Sequence, residues 1–262
     1  MIVLKSARDI EKMAAAGEIV AATLALLRSE IRPGVATRDL DWLAEEYIRG
    51  QGGVPAFKGY RGFPASICTS PNAMVVHGIP GAYEVQEGDI LSIDVGVTLD
   101  GFVADSAWTF PVGEITDKAK RLLSICREAL GAGIDAALPG GRVGDVSAAV
   151  QSVTESAGFS VVRTLVGHGV GRSMHEEPQV PNFGTRGCGA ELRVGTTIAI
   201  EPMITAGGAE VALADDGWSI LTVDSSLSAH FEHTVAITDE GPRMLTEPET
   251  RPAELAGSPV VE

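Results

Sequence analysis

The feature that most constrains the fold is a two-residue turn between two runs of alternating apolar and polar residues. Asp100-Gly101 separates these runs, and a dipeptide of this type strongly favours a tight β-hairpin turn. If both residues form the turn, Leu99 faces Phe102 across it. The dipeptide therefore predicts the register of a whole hairpin.

This register brings two acidic residues together. Asp94 falls opposite Ala107, and Asp105 lies two residues from Ala107 on the same face. The two carboxylates are therefore predicted to be diagonal neighbours on adjacent strands, about 7 Å apart at the backbone. At that separation they can converge on a shared cation.

Two further acids lie in later apolar runs that are predicted to be strands. Their small neighbours on the same strand face are Thr197, Ala199 and Met203 for Glu201, and Thr234, Ala236 and Thr238 for Glu232. Pro202 also favours an extended backbone at Glu201. Each acid is thus expected to point among small side chains.

Four carboxylates on apolar strands are costly to bury unless they are neutralised by protonation, by basic side chains or by metal. The strand segments contain no Lys or Arg. Two divalent cations would balance four negative charges, whereas one cation would leave an excess. The alternative is that each acid simply faces solvent on an antiparallel sheet.

The order helix, helix, strands occurs twice along the chain. The predicted helices start at Ser6, Thr37, Thr116 and Val143, and the last apolar or small residues of their patterns are Leu27, Tyr47, Leu130 and Ala157. A His-Gly pair precedes each set of strands, at His77-Gly78 and His168-Gly169. This repetition predicts two similar α/β halves around a shared central site.

The chain has only five histidines. His168 and His175 lie in a glycine-rich stretch, where the backbone can approach a ligand closely. Their spacing of seven residues differs from the i, i+4 spacing of a helical zinc site. For His230 and His233, the sequence predicts nothing beyond a position on the surface.

Charge and composition exclude several classes of partner. The 262 residues include 20 basic and 35 acidic side chains, a net charge of −15, which would repel nucleic acid and anionic membranes. No apolar run reaches the roughly 18 residues of a spanning helix, and no apolar signal stretch begins the chain. We therefore expect a cytoplasmic protein whose three cysteines are reduced thiols.

Five segments closely resemble the type I methionine aminopeptidases of metallopeptidase family M24. The segments are NAMVVHGIP, SIDVGVTLDGFVADSAWTF, GHGVGRSMHEEPQVPN, IAIEPM and SAHFEHTVAIT, and the match runs from about residue 4 to 245. The resemblance implies an α/β pita-bread fold with a dinuclear metal centre between two halves. It implies one catalytic domain over residues 1–246, with halves of about 1–113 and 114–246, and leaves 247–262 as a flexible tail.

The resemblance also assigns a ligand set and catalytic roles. The implied metal ligands are Asp94, Asp105, His168, Glu201 and Glu232. A hydroxide held between the metals would be the nucleophile. Glu201 would shuttle protons, His175 would stabilise the tetrahedral intermediate, and His77 would bind substrate near the scissile amide. The metals could be Co, Mn, Fe or Zn.

The matching substrate pocket is apolar. Its implied residues are Phe57, Tyr60, Phe63, Cys68, Met174 and Trp218, in addition to His77 and His175. The chain departs from the family at Phe57, at Arg61, where the family often has histidine, and at Met174, where it has an aromatic residue. The resemblance further implies a monovalent cation near Asn72, Met74 and Ser228.

The implied substrates are N-terminal peptides of nascent chains whose second residue is small. The enzyme would act in protein maturation as a monomer near the ribosome exit. The alternatives are an X-Pro aminopeptidase or prolidase, which usually carries an additional N-terminal domain, and a catalytically inactive pita-bread domain that binds peptides. No ligand of the five is missing here, whereas inactive relatives lose ligands.

Overall fold

A computed structural model of the chain describes residues 1–247. The helices of this part are α1 (Ala7–Glu30), α2 (Thr37–Gly50), α3 (Asp117–Asp135) and α4 (Val143–Ser156). None of these helices is long and apolar enough to cross a membrane. The predicted tail, residues 247–262, lies outside the described residues except for Glu247.

Local capping explains where two of the helices begin. The Ser6 side chain accepts from the backbone N–H of Asp9, and Asp9 reaches back to the backbone of Ser6, which completes a capping box before α1. The Thr116 hydroxyl caps α3 by accepting from the N–H of Ala119. Both predicted helix starts are confirmed.

The strands of residues 1–247 form four small antiparallel sheets. Their bounds are β1 (Val54–Pro55), β2 (Ile67–Pro71), β3 (Met74–Val76), β4 (Ile90–Leu99), β5 (Phe102–Pro111), β6 (Ser160–Val161), β7 (Val166–Gly169), β8 (Glu176–Pro181), β9 (Thr197–Ile200), β10 (Met203–Thr205), β11 (Val211–Leu213), β12 (Ile220–Thr222), β13 (Ser228–His230), β14 (His233–Thr238) and β15 (Gly241–Met244). The first sheet joins β4 to β5, β2 and β1, and a five-stranded sheet has the order β15-β14-β9-β7-β8. Two three-stranded sheets have the orders β13-β10-β6 and β11-β12-β3.

The predicted hairpin register is confirmed. Leu99 pairs with Phe102, and Asp94 pairs with Ala107 along β4 and β5. Asp100 and Gly101 both have positive φ, 49° and 75°, as the two central residues of a type I′ turn require. The turn chemistry therefore sets the register of ten residue pairs.

Contrary to expectation, neither Glu201 nor Glu232 lies within a strand. β9 ends at Ile200 and β10 begins at Met203, so Glu201 and Pro202 lie between two sheets. Proline has no N–H to donate to a ladder, which favours a break at this point. Glu232 likewise lies in the break between β13 and β14, and its N–H donates to the carbonyl of Ala107 in β5 at 2.9 Å.

Two large apolar cores lie on either side of the central strands. One is built mainly from α1, α2, β4 and β5, and the other mainly from α3, α4, β9 and β14. Trp108 packs against both cores and contacts Phe231 edge-to-face, with ring centroids 4.7 Å apart. The two cores therefore meet in a packed contact at Trp108, and Asp94 and Asp105 lie on β4 and β5 beside it.

One glycine holds α1 close to the C-terminal strand. A β-carbon at the buried Gly17 would overlap the backbone carbonyl oxygen of Leu245. Gly17→Ala should therefore lower the free energy of unfolding by about 3 kcal/mol, because the helix and the segment after β15 must move apart. Urea denaturation measures this loss.

Gly131→Ala is the matched control for this prediction. Gly131 lies on the exposed surface of α3 with no atom within 4 Å of the added carbon. Alanine there should stabilise the protein by about 0.5–1 kcal/mol. Equal effects of the two substitutions would contradict the close packing of α1.

Candidate active site and metal centre

One cavity of about 210 Å³ brings together every predicted catalytic, metal-binding and pocket residue. Its lining residues are Phe57, Tyr60, Arg61, Phe63, Cys68, Val76, His77, Asp94, Asp105, Leu165, Val166, His168, Met174, His175, Glu201, Met203, Trp218 and Glu232. They come from both halves of the chain. The cavity is therefore the candidate functional site.

The five predicted ligands reach the cavity from different elements. Asp94 lies on β4, Asp105 on β5 and His168 on β7. Glu201 and Glu232 lie in the two breaks between sheets, where the alternation of a strand does not set the direction of their side chains. The Glu232 backbone is held by two hydrogen bonds to β5, one to the carbonyl of Ala107 and one from the Ser106 hydroxyl.

Three of these residues could hold one ion together. The ligand atoms of Asp105, His168 and Glu232 all lie within 4.8 Å of one another. His168 Nε2 is 3.6 Å from Asp105 Oδ2 and 3.6 Å from Glu201 Oε1. These separations exceed those of direct hydrogen bonds but match ligand atoms about 2.0–2.2 Å from a common transition metal.

Burial leaves the four acids without compensating cations. Desolvation raises the pKa of Asp105 to about 6. Desolvation, together with the charge of Asp105, raises the pKa of Asp94, Glu201 and Glu232 well above the usual range. No Lys or Arg among the described residues forms an ion pair with any of the four.

His168 is oriented as a metal ligand would be. Its Nδ1 is 2.9 Å from the carbonyl oxygen of Gly169. Donation from Nδ1 to this carbonyl leaves the lone pair of Nε2 facing the carboxylates. Burial lowers the pKa of His168, which keeps the ring neutral and able to coordinate.

The expectation that His230 and His233 are surface residues is wrong. Both are buried, because the segment that carries them passes between two sheets against β5. His233 Nδ1 lies 2.8 Å from the Thr246 hydroxyl. His230 Nε2 is 3.7 Å from Glu201 and 3.9 Å from Glu232, and desolvation lowers its pKa to about 3. His230 therefore lies directly behind the acids as a neutral ring.

The donor set fits divalent metal. Asp94 Oδ1 and His230 Nε2 are buried and have no hydrogen-bond partner among the described residues. Unpaired buried polar atoms are rare in folded proteins and call for an explanation. Four oxygen ligands and one imidazole suit Mn, Co or Fe at least as well as Zn.

His175 contacts the rings of Tyr60 and His168. The Tyr60 hydroxyl lies 2.9 Å from His175 Nδ1, and the two rings stack with centroids 5.5 Å apart. Desolvation and the nearby His168 lower the pKa of His175 to about 4. The next residue, Glu176, pairs with Lys5 at 2.5 Å and accepts from the N–H of Arg172, which fixes the loop.

Aromatic and sulfur-containing side chains form the apolar wall of the cavity. Phe63 and Trp218 make an edge-to-face pair at 5.1 Å. A β-carbon at Gly96, which pairs with Asp105 in the hairpin, would lie 2.6 Å from Phe57 and 2.8 Å from Met174. Because Gly96 has no side chain, the side chains of Phe57 and Met174 can pack against its backbone.

The remaining predicted residues are His77, which lines the cavity, and the three residues of the predicted monovalent-cation site, which do not line it. His77 follows β3 with a φ of 60°, a strained value for a residue with a side chain. Its ring is exposed, yet the surrounding protein still lowers its pKa by desolvation. Asn72 and Ser228 are adjacent, since the N–H of Ser228 donates to the Asn72 carbonyl at 2.8 Å. Met74 lies at the start of β3.

Sequence reasoning missed several lining residues. Val76, Leu165, Val166 and Met203 line the cavity but carry no chemical signature. Each lies within three residues of a predicted ligand or catalytic histidine, and this proximity was the only available signal. His230 lies behind the acids, but no local sequence pattern shows its burial.

Comparisons with known proteins agree on one family. Residues 11–239 match the model of metallopeptidase family M24. The chain is 50% identical over 246 residues to a methionine aminopeptidase of Clostridium perfringens, covering 94% of this chain and 99% of that protein. It is 48% identical to methionine aminopeptidase 1 of Bacillus subtilis, with the same coverage of both chains.

Solved structures extend the comparison to the fold. The methionine aminopeptidase of Thermotoga maritima superposes with a TM-score of 0.93 at 47% identity, covering 94% of this chain and 100% of that chain. The prolidase of Pyrococcus furiosus superposes with a TM-score of 0.74 at 22% identity, and the match covers 95% of this chain and 66% of that chain. The likeness to prolidase is one of fold alone.

Proposed function

The chain belongs to metallopeptidase family M24, and on this premise we propose that the cavity is the active site of a metal-dependent methionine aminopeptidase. The enzyme is a hydrolase with the pita-bread fold and groups with the bacterial-type, type I enzymes. The reaction removes N-terminal methionine from peptides whose second residue is small. The observation that carries the site assignment is the convergence of four uncompensated carboxylates and His168 in one cavity.

Two divalent metal ions are proposed to bind Asp94, Asp105, His168, Glu201 and Glu232. Asp105 and Glu232 would hold both ions, Asp94 would be a further ligand of one of them, and His168 with Glu201 would be ligands of the other. Two such cations balance the four carboxylates in charge. When bound, they supply a water nucleophile at neutral pH and polarise the scissile carbonyl.

The protein's own groups move the protons and stabilise charge. Burial raises the pKa of Glu201, so its carboxylate can accept a proton and return it to the leaving amine. If the Tyr60 hydroxyl donates to Nδ1 of His175, the neutral ring carries its proton on Nε2. That N–H donates to the oxygen that becomes negatively charged in the tetrahedral intermediate. His77 binds the substrate near the scissile amide.

The apolar wall is proposed to hold the methionine side chain. Phe57, Phe63, Met174 and Trp218 present aromatic and thioether surface to the cavity, with Tyr60 and Cys68 completing the pocket. Sulfur contacts aromatic rings favourably, and a thioether is adaptable in shape. A linear apolar substrate side chain therefore suits this wall.

The proposal also covers where the enzyme acts in the cell and in which oligomeric state. We infer that the enzyme acts as a monomer in the cytoplasm, on nascent chains as they leave the ribosome. Backbone oxygens near Asn72, Met74 and Ser228 would bind a monovalent cation. Light scattering tests the monomeric state, co-sedimentation with translating ribosomes tests the action on nascent chains, and potassium-dependent thermal shifts test the cation site.

A peptide-release assay tests the activity. With added Mn or Co, the protein should release methionine from Met-Ala-Ser and should leave Ala-Pro peptides intact. Release of alanine from Ala-Pro peptides would instead favour the X-Pro class. A folded protein that releases nothing in the presence of metal would favour a peptide-binding role.

A further inference from the structure

One cation lies at the rim of the active-site cavity. Arg61 is the only Lys or Arg among the described residues that line it, and its side chain is exposed. Arg61 forms no ion pair with any described residue. The nearby Lys58, by contrast, is engaged by Glu45 at 2.5 Å. An unpaired guanidinium is therefore available to a ligand that enters the cavity.

A series of ring contacts connects Arg61 to the acids. Its guanidinium carbon is 5.4 Å from the centre of the Tyr60 ring. Tyr60 stacks on His175, and the centroids of His175 and His168 are 4.2 Å apart. His168 in turn lies 3.6 Å from Asp105. Arg61 is therefore the outermost member of a series that ends at the carboxylates.

The backbone holds Arg61 in an unfavourable conformation. Its φ of 50° and ψ of 21° lie in the left-handed region, which residues with side chains rarely adopt. Gly59 accepts from the N–H of Gly62 and donates to Phe63, which closes the turn around Arg61. Strained residues of this kind cluster at ligand-binding sites. His77, across the same cavity, is strained in the same way.

We propose that Arg61 forms a carboxylate-binding subsite downstream of the scissile bond. This proposal rests on the proposed function, in which the substrate's first residue lies at the acids. An extended peptide advances about 3.3–3.6 Å per residue, so residues beyond the scissile bond can pass the rim of the cavity where Arg61 lies. A guanidinium matches a carboxylate with two parallel hydrogen bonds.

Two sources of carboxylate are possible, and the test separates them. The probes are Met-Ala-Glu-Gly-amide and Met-Ala-Gly-Glu-amide, each paired with its Gln counterpart, together with Met-Ala-Gln as free acid and as amide. The measured quantity is the ratio of kcat/KM within each pair. Because the two peptides of a pair are assayed with the same enzyme variant, a general loss of turnover cancels in the ratio.

The unsubstituted enzyme should favour the carboxylate-bearing member of at least one pair by about tenfold at low salt. Arg61→Gln should reduce that ratio to about one. Lys58→Gln removes a neighbouring positive charge that lies outside the cavity and should leave the ratio unchanged. Raising the salt to 0.5 M should shrink the preference of the unsubstituted enzyme, because the pair is exposed.

The outcomes distinguish this proposal from the function on which it rests. A preference confined to the free acid would assign the subsite to the peptide terminus, and one confined to Glu would assign it to the side chain. No preference in the unsubstituted enzyme, a preference that survives Arg61→Gln, or an equal loss in Lys58→Gln would overturn the subsite. Absence of methionine release from every peptide would overturn the proposed function itself.

Discussion

Asp105→Asn should lower the rate of methionine release by on the order of a thousandfold. Asp105 belongs to the group of three residues whose ligand atoms converge within 4.8 Å, and it is one of the two acids proposed to hold both metals. An amide binds divalent cations far more weakly than a carboxylate does. Peptide-release kinetics at saturating metal measure the loss.

The same substitution should change how stability depends on metal. Without metal, the variant should be more stable than the parent by about 1–3 kcal/mol, because one of four mutually repelling acids is neutralised. With metal at a hundred times the dissociation constant, the parent should gain about 2.7 kcal/mol, and the variant should gain much less. Thermal denaturation with and without EDTA measures both effects.

Asp100→Asn provides the matched control. Asp100 lies in the exposed turn of the same hairpin with a φ of 49°, a conformation that Asn also accepts. Activity and metal response should both stay at the parent level. An Asp105→Asn enzyme that keeps its turnover and its metal-induced stabilisation would show that the proposed ligand set is wrong.

His175→Ala should reduce kcat by about 100- to 1,000-fold while metal binding is retained. His175 contacts the ring of His168 and the hydroxyl of Tyr60, but it is not one of the proposed metal ligands. The loss should therefore appear in kcat, with the metal-induced thermal shift preserved. This pattern separates His175 from Asp105, whose replacement affects both.

Tyr60→Phe gives a graded version of this test. It removes the hydroxyl that lies 2.9 Å from His175 Nδ1 but keeps an aromatic ring for the stack. A drop in kcat of several-fold, smaller than that of His175→Ala, is expected because the imidazole loses one of its two orienting contacts. A His175→Ala enzyme with kcat close to that of the parent would contradict the role in stabilising the intermediate.

Much of the candidate site was predictable because its information is local. The Asp100-Gly101 turn sets the hairpin register, and this register brings Asp94 and Asp105 to one face. The starts of α1 and α3 follow from Ser6 and Thr116, whose caps act within three residues. The pairing of the two acids with Glu201, Glu232 and His168 rested on charge balance and on family resemblance.

Other features depend on contacts between residues far apart in the chain, which no local pattern encodes. Glu201 and Glu232 were each expected to lie within a strand, but both lie where the chain passes from one sheet to another. His230 resembled a surface residue by sequence, yet it is buried because its backbone N–H donates to Thr109, 121 positions away. Alternation of residue types indicates a face but not which element covers it.

Residue types a few positions apart are enough to set the helix starts, the hairpin turn and the alternation that places Asp94 and Asp105 on one face of the hairpin. Turns and caps act over a few residues, so their geometry follows from residue type. The stacking of Tyr60 on His175, 115 positions away, and the position of Arg61 at the outer end of that series arise only in the folded chain. Such contacts depend on how two packed halves meet, and their packing is a property of the whole core.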